Sequence, residues 1–186
     1  NLNLPFISEN GSSIHGLNLI HKDLPNKISI SRPADQIISI YNEIIPNNLK
    51  QKINFILKLK LEEQEKIFGL PSTKMMLVTK RNYSLPIQFM GNEIEKKEFF
   101  KIINDVGLTV QTGGRIMNIC DNVNKSKAMS KALRLISKEL DDEIITIGVG
   151  DNENDIEMIK QTNYPCLVKN DNFNSSLINI DNLIKS

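Results

Sequence analysis

The stretch Gly148-Val149-Gly150-Asp151-Asn152-Glu153-Asn154-Asp155 decides the fold class of this chain. It completes an apolar run over residues 143–150, which is typical of a strand buried in a parallel sheet. Two glycines allow close backbone approach, and Asp151 then places a carboxylate at the carboxyl end of the strand. Because ligands bind at that end of the strands in open α/β sheets, the stretch predicts an α/β fold with a site at the sheet edge.

The acidic pair in this stretch has two interpretations. Asp151 and Asp155 stand four residues apart, so both carboxylates can lie on one side of the helix that begins here. Neighbouring negative charges repel unless a cation or a donor neutralises them, and Mg²⁺ suits hard oxygen ligands and few carboxylates. The alternative is a helix cap whose acidic residues interact favourably with the helix dipole. The spacing alone leaves both open.

A lysine precedes the buried strand, at the start of the helix that leads into it. Asn124-Lys125-Ser126-Lys127 comes directly before an amphipathic helical pattern over residues 127–140. From a helix start, Lys125 can reach across the sheet edge and neutralise a phosphate or an acidic pair. A solvated lysine is the alternative. The order of lysine, buried strand and acidic turn is more informative than either motif alone.

The two ends of the chain carry strand and helix signals. For the last third we predict a helix over residues 127–140, a strand over 143–150, a helix over 154–160 and a strand over 165–168. This alternation favours an α/β domain with a parallel sheet. Near the beginning, residues 5–11 form a strand pattern that runs into an Asn-Gly turn, and residues 12–19 form the returning strand.

The middle block, residues 27–119, alternates helices with antiparallel strand pairs, which indicates an α+β insert in the sheet domain. We predict helices over residues 34–41, 47–57, 62–68 and 93–105. We predict strands over residues 75–79, 85–90, 108–112 and 115–120, the last two around a hairpin signal at Gly113 and Gly114.

The composition is that of an ordinary globular protein. Hydrophobic residues make up 40% and charged residues 24% of the 186 residues, which excludes a wholly disordered chain. The net charge of +1 provides no global field for nucleic acid or membrane, and the longest apolar run is too short to span a bilayer.

Cys120 and Cys166 are too few for a disulfide framework, which favours reduced thiols in a cytoplasmic protein. His15 and His21 lack partners at metal spacing in the sequence, so solvated or packing roles are predicted for them.

The order of the motifs resembles that of the haloacid dehalogenase-like (HAD) phosphatases. Within that superfamily, the chain resembles the mannosyl-3-phosphoglycerate phosphatase family along essentially its whole length. The segments that carry the resemblance are residues 5–11, 69–71, 81–86, 113–116, 124–128 and 150–155. The acidic motif is typical of the superfamily, whereas residues 81–86 and 113–116 indicate the narrower family.

The resemblance implies an incomplete HAD-like parallel-sheet core with an inserted α+β cap domain. Residues 1–26 would be the core segment leading to the cap, residues 27–117 the cap, and residues 118–186 the C-terminal part of the core. The implied activity is Mg²⁺-dependent hydrolysis of the phosphate monoester of a glycosyl-3-phosphoglycerate, a small phosphorylated sugar-glycerate. An aspartate would attack phosphorus, and water would then cleave the aspartyl-phosphate.

The same resemblance implies roles for individual residues. Lys125 would be catalytic, offsetting charge on the transferring phosphoryl group, and Asp151 would be a metal ligand. Asn154 and Asp155 would orient these neighbours. The residues expected against the substrate are Arg81, Tyr83, Ser84, Gly113, Gly114 and Arg115 of the cap and Asn10 of the core.

Alternatives remain for the substrate-side residues. Arginine suits carboxylate or phosphate through its planar fork, yet Arg81 and Arg115 can also be solvated turn residues. Packing against a strand is the alternative for Tyr83, and a pure turn role for Asn10. Leu85 stands where the family pattern has glutamate, and Gln111-Thr112 where an arginine usually precedes the glycines. Another sugar-phosphate phosphatase is therefore an alternative to the narrower activity.

The family's nucleophile belongs to an Asp-x-Asp-Gly-Thr motif, and the 186 residues contain none. The chain begins without methionine at the strand of residues 5–8, so we expect the nucleophile to lie in a missing N-terminal segment on the order of 50 residues long. We expect the chain alone to be inactive. A non-catalytic remnant and an unrelated α/β binding module are the alternatives from other classes, and the sequence indicates no oligomeric state.

Overall fold

A computed structural model describes residues 3–112, 116–140, 142–171, 173 and 178–185. The chain divides into two compact units, one formed by Asn1–Ile30 with Val123–Ser186 and the other by Ser31–Asn122. The second unit begins and ends a few residues later than the segment 27–117 that the sequence predicts as a cap.

Ten strands and seven α-helices form the regular structure of the described residues. The strands are β1 (Phe6–Ser8), β2 (Ser13–His15), β3 (Lys27–Ser29), β4 (Ile53–Phe55), β5 (Ser84–Phe89), β6 (Leu108–Thr112), β7 (Met117–Asp121), β8 (Ile147–Gly150), β9 (Tyr164–Leu167) and β10 (Ile184–Lys185). The helices are α1 (Ala34–Ile44), α2 (Asn47–Lys50), α3 (Leu61–Phe68), α4 (Ser72–Thr79), α5 (Glu93–Asp105), α6 (Lys125–Glu139) and α7 (Glu153–Ile159). None of these helices combines the length and the apolar character that crossing a bilayer requires.

The first unit contains an antiparallel sheet in the order β1-β2-β3. The predicted Asn-Gly turn between β1 and β2 is confirmed, with positive φ angles of 56° at Asn10 and 109° at Gly11. The returning strand is shorter than predicted. It ends at His15, because Gly16 adopts a left-handed conformation and the chain turns into a 3-10 helix over Leu17–Leu19.

Helix α6 covers this sheet through the apolar stripe that its sequence predicts. Buried residues of the helix and of the hairpin region form one cluster: Ile14, Leu17, Leu24, Ala128 and Ala132. Leu135 and Ile136 pack against its edge from the last turns of the helix. The amphipathic spacing therefore determines which face of α6 is buried.

The first unit also contains a parallel sheet in the order β10-β9-β8. The strand predicted over residues 143–150 is wrong in its length, because only Ile147–Gly150 pairs with β9. The two faces of β8 also differ in their exposure to solvent. Gly148 and Gly150 are buried, whereas Ile147 is 69% and Val149 56% exposed. The strand is thus buried on one face, unlike the fully buried strand that the apolar run indicates.

The second unit is an antiparallel sheet in the order β4-β5-β7-β6, packed against α1 and α5. Helices α1, α3 and α5 and the hairpin of β6 and β7 agree with the prediction. The core includes Ile37 and Tyr41 of α1, Phe99 and Ile103 of α5, and Ile87 of β5.

Two predictions in this unit are wrong. Residues 75–79 belong to helix α4, which begins after Pro71 and includes the helix formers Lys74 and Met75. A five-residue apolar run does not distinguish a strand from a helical turn by periodicity. Residues 47–57 are not one helix, because α2 ends at Lys50 and β4 pairs with β5. Burial of Ile53 at the sheet edge outweighs the helical pattern.

Candidate active site

The acidic turn follows β8 at the carboxyl end of the parallel sheet. Asp151 comes directly after the strand, and Asn152 caps α7 by accepting a hydrogen bond from the amide of Glu153 at 2.8 Å. Gly150 is required by close packing, because a Cβ there would lie 2.3 Å from the Cβ of Asp155. The glycine therefore lets Asp155 turn back beneath the end of the strand.

The carboxylate of Asp155 is buried and both of its oxygens accept hydrogen bonds. Its residue exposure is 6%. The ammonium group of Lys125 donates to Oδ1 at 2.6 Å, and the amide of Asp151 donates to Oδ2 at 3.4 Å. A buried carboxylate needs such compensation, because desolvation of its charge is costly. A direct contact between Lys125 and Asp155 therefore joins the lysine motif at the start of α6 to the acidic turn after β8.

Lys125 is held in position by the start of α6. Asn124 is the N-cap, and its side chain accepts a hydrogen bond from the amide of Lys127 at 2.8 Å. Gly11 packs against the backbone just before the lysine, and a Cβ on it would come within 2.2 Å of the carbonyl oxygen of Asn124. The Asn-Gly turn therefore packs directly against the start of the helix that carries Lys125.

Two further hydrogen bonds join the start of α6 to the α7 region. The side chain of Asn124 donates to Glu157 Oε2 at 2.5 Å, and Gln161 Nε2 donates to Ser126 Oγ at 2.6 Å. With the Lys125 contact, three consecutive residues of α6 and its cap each bind one residue of the segment that follows β8. These contacts fix the register of Lys125 against Asp155.

Asp151 lies at the open side of this arrangement. Its side chain is exposed, and Asn170 Nδ2 donates to its Oδ2 at 3.3 Å. The sequence analysis missed Asn170. The signal that could have found it is its position shortly after β9, because the ends of neighbouring parallel strands meet at one edge. Asn154 is also exposed.

The remaining predicted site residues lie in the second unit, in the first unit or outside the described residues. Arg81 donates from Nε to the carbonyl of Val78 at 3.1 Å and from Nη1 to Ser84 Oγ at 3.3 Å. Tyr83 and Ser84 are each 5% exposed within the second unit, whereas Asn10 is exposed in the first. The three predicted residues Gly113, Gly114 and Arg115 lie outside the described residues.

A sequence profile of the haloacid dehalogenase-like hydrolases matches residues 1–178. The chain belongs to this hydrolase family. Two curated relatives are each named glucosyl-3-phosphoglycerate/mannosyl-3-phosphoglycerate phosphatase, one from Persephonella marina at 25% identity and one from Methanococcoides burtonii at 29%. These matches cover 98% and 89% of this chain and 70% and 63% of the relatives, so the chain spans about two-thirds of their length.

The crystal structure of a Thermotoga maritima protein resembles this chain with a TM-score of 0.52 at 20% identity. The match covers 89% of this chain and 64% of that one. It concerns the fold alone. Together with the family profile, it confirms the predicted α/β fold of a HAD-like core with an inserted α+β domain.

The residues of the acidic turn fit the Mg²⁺ that the hydrolase family implies. Magnesium is held by one or two carboxylates and otherwise by water and phosphate oxygens. Both oxygens of Asp155 already accept hydrogen bonds, whereas the carboxylate of Asp151 is exposed at the strand end. Of the two aspartates of this turn, Asp151 is therefore the one that is available to a metal, with Asp155 behind it.

Proposed function

We propose that this chain is part of a Mg²⁺-dependent phosphatase that hydrolyses the phosphate monoester of a glycosyl-3-phosphoglycerate. The observation that carries the proposal is the contact of 2.6 Å between Lys125 and the buried Asp155, next to the exposed carboxylate of Asp151. A cation and an exposed carboxylate at the carboxyl end of a parallel strand suit a phosphate ester, which brings negative charge to that edge.

Each residue of this group has a separate task in the proposal. Lys125 offsets negative charge on the phosphoryl group as it is transferred, and Asp155 orients the lysine through their hydrogen bond. Asp151 holds the metal, and Asn170 orients that carboxylate from the next strand end. Bound Mg²⁺ would supply electrostatic stabilisation of the phosphate oxygens. Asn154, in the first turn of α7, orients these neighbours together with Asp155 in the proposal.

The substrate class rests on the names of the two curated relatives and on the charged groups of the chain. A glycosyl-3-phosphoglycerate carries a carboxylate as well as a phosphate, and arginine binds either through its planar guanidinium. In the proposal, the residues that contact this substrate are the ones that the family resemblance implies: Arg81, Tyr83, Ser84, Gly113, Gly114, Arg115 and Asn10. The proposed location is the cytoplasm.

The nucleophile is the part of the proposed reaction that these residues do not supply. None of the 186 residues belongs to an Asp-x-Asp-Gly-Thr motif. We therefore propose that the isolated chain has no phosphatase activity and that the full-length protein forms the aspartyl-phosphate. Phosphate release by the isolated chain that disappears in Asp151→Ala would contradict this point.

The experiment compares phosphate release by the full-length protein from mannosyl- and glucosyl-3-phosphoglycerate with release from simple hexose phosphates. We expect faster turnover of the glycosyl-phosphoglycerates, dependence on Mg²⁺, and a fall in kcat of about 100-fold or more for Lys125→Ala. Lys127→Ala is the matched control, because that exposed lysine lies on the same helix and should leave kcat unchanged. Equal or faster turnover of hexose phosphates would identify another sugar-phosphate phosphatase. An unaffected kcat in Lys125→Ala would refute the assigned site.

A further inference from the structure

A group of three potential metal ligands lies far from the acidic turn, at the other end of α6. It consists of His21, Asp23 and Glu139, each offering one ligand atom, and these atoms all lie within 4.8 Å of one another. Glu139 is the last residue of the 15-residue helix that begins with Lys125. A helix of that length separates its two ends by about 20 Å, so this group is distinct from the candidate active site.

The imidazole of His21 has a nitrogen that the described residues leave unsatisfied. Its Nδ1 is closed off from solvent and makes no hydrogen bond. The nearest carboxylate oxygen, Asp23 Oδ2, lies at 3.8 Å, which is too long for a hydrogen bond. The His21 side chain is 33% exposed, but this nitrogen is buried. Buried polar nitrogens normally have a partner, so an unpaired one beside Asp23 favours a bound cation at this position.

The two carboxylates are exposed and lie close to each other. Among the described ion pairs, none joins Asp23 or Glu139 to a lysine or an arginine. Glu139 moreover ends α6, where the negative end of the helix dipole disfavours another negative charge. Two neighbouring carboxylates at a helix C-terminus are stabilised by a bound cation, which removes both penalties.

The backbone holds the three residues in place before any ligand binds. The amide of His21 donates to the carbonyl of Leu17 at 3.3 Å, and the amide of Leu24 donates to the carbonyl of His21 at 3.0 Å. Leu24 is 5% exposed and belongs to the apolar cluster that packs on α6. This anchor keeps the turn with His21 and Asp23 beside the end of the helix, so little ordering is needed on binding.

We infer that His21, Asp23 and Glu139 form a binding site for a divalent transition cation, with Zn²⁺ as the best match. Imidazole suits Zn²⁺, whereas Mg²⁺ prefers oxygen ligands alone. Ligand bonds of about 2.0–2.2 Å place neighbouring ligand atoms about 3.5 Å apart around Zn²⁺, close to the observed 3.8 Å between His21 and Asp23. Three protein ligands leave further positions to water. The site is independent of the proposed phosphatase activity.

This site has no signature in the sequence, because metal motifs are recognised by short spacings. His21 and Asp23 are neighbours in the chain, but Glu139 reaches them only through the packing of α6 on the hairpin region. A ligand contributed from a distant part of the chain produces no spacing pattern.

The test titrates the chelator-treated 186-residue chain with Zn²⁺ against a chromophoric competitor and follows the two histidine side chains by ¹⁵N NMR. We expect one bound Zn²⁺, a rise in Tm, and a shift of the His21 Nδ1 signal while His15 stays in place. The chain has only these two histidines, so the assignment is direct. His21→Asn, Asp23→Asn and Glu139→Gln should each weaken binding by about tenfold or more.

The controls separate this site from other acidic groups. Glu98→Gln removes an exposed glutamate from helix α5 and should leave Zn²⁺ affinity unchanged. Asp151→Asn removes the carboxylate of the acidic turn and should retain the His21 signal shift. The inference is overturned if Zn²⁺ does not move the His21 signal, if Asp23→Asn and Glu139→Gln bind as tightly as the unaltered chain, or if Asp151→Asn abolishes the shift.

Discussion

Arg32 binds the carboxylate of Asp121 with both its side chain and its backbone. Nε donates to Oδ1 at 2.7 Å, Nη2 also donates to Oδ1, and the backbone amide of Arg32 donates to Oδ2 at 2.5 Å. The two residues lie near the first and the last residue of the second unit, Ser31–Asn122. The pair therefore ties together the two ends of the chain segment that forms this unit.

Removing this pair should destabilise the second unit. We expect Asp121→Ala to lower the free energy of unfolding by about 1–2 kcal/mol, because several charge-assisted bonds are lost at a position that is partly shielded from water. The side chain of Asp121 is 14% exposed. Urea unfolding measures the change. Glu93→Ala is the control, since its lysine partner lies at 3.6 Å and the glutamate is 81% exposed. An equal effect of both substitutions would contradict the role of the pair.

The contact of Gly11 with Asn124 gives a second prediction. Gly11→Ala should cost about 2 kcal/mol or more, because it adds backbone strain at φ 109° and a Cβ that would lie 2.2 Å from a carbonyl oxygen. Thermal or urea unfolding measures the loss. Gly107→Ala separates the cost of backbone strain from the cost of the steric clash. Its φ is also positive, at 74°, but its Cβ would meet only Arg32 Nη2 at 4.0 Å. The prediction is wrong if the two alanine variants lose the same stability.

His15 makes the stability of the hairpin depend on pH. Burial lowers the pKa of this imidazole, and the positive charge of Lys27 lowers the pKa further. Its Nε2 lies 2.7 Å from Ser13 Oγ, and its ring stacks on Phe6 with centroids 4.6 Å apart. The folded state therefore favours the neutral ring, while the unfolded chain takes up a proton near its ordinary pKa of about 6.5.

The direction of this effect follows from proton uptake. Stability from this group is fully present above the unfolded pKa, and it is lost as the pH falls from about 6.5 towards the lowered folded value. His15→Gln should flatten the slope of unfolding free energy against pH between about pH 6.5 and 5. Lys27→Met should reduce the slope while retaining its sign. Urea titrations at several pH values measure it. A slope that is unchanged in His15→Gln would assign the effect to other groups.

The open face of the parallel sheet predicts self-association. Ile147, Val149 and Tyr164 are more than half exposed, and the register places them on one face of β8 and β9. β8 is also an outer strand of its sheet among the described residues. Exposed strands and contiguous apolar surface favour association between chains.

Ile147→Lys should therefore reduce the association of the isolated chain. Sedimentation velocity at increasing concentration would show a smaller shift towards larger species, because the charge disfavours burial of this face. Ile94→Lys is the control. Ile94 is 79% exposed but belongs to helix α5 and not to a strand. A monomeric unaltered chain, or an equal response of both variants, would contradict the prediction.

The sequence by itself determined the elements whose patterns are long and locally consistent. The amphipathic spacing in α6, the helix α5 with its Asn92 cap, and the Asn-Gly turn each follow from local chemistry that no other part of the chain overrides. The order of Lys125 before a strand and Asp151 after it also indicated the site, because strand ends and helix starts meet at one sheet edge.

Only the tertiary structure decided the features that depend on distant partners. It turned residues 53–55 from a predicted helix into a strand, because pairing with β5 buries Ile53. It also placed Asp155 against Lys125 and left Asp151 exposed, since the missing Cβ of Gly150 makes room for Asp155 beneath the strand. Local patterns specify what a segment can form. Packing between segments far apart in the chain selects which of those possibilities is realised.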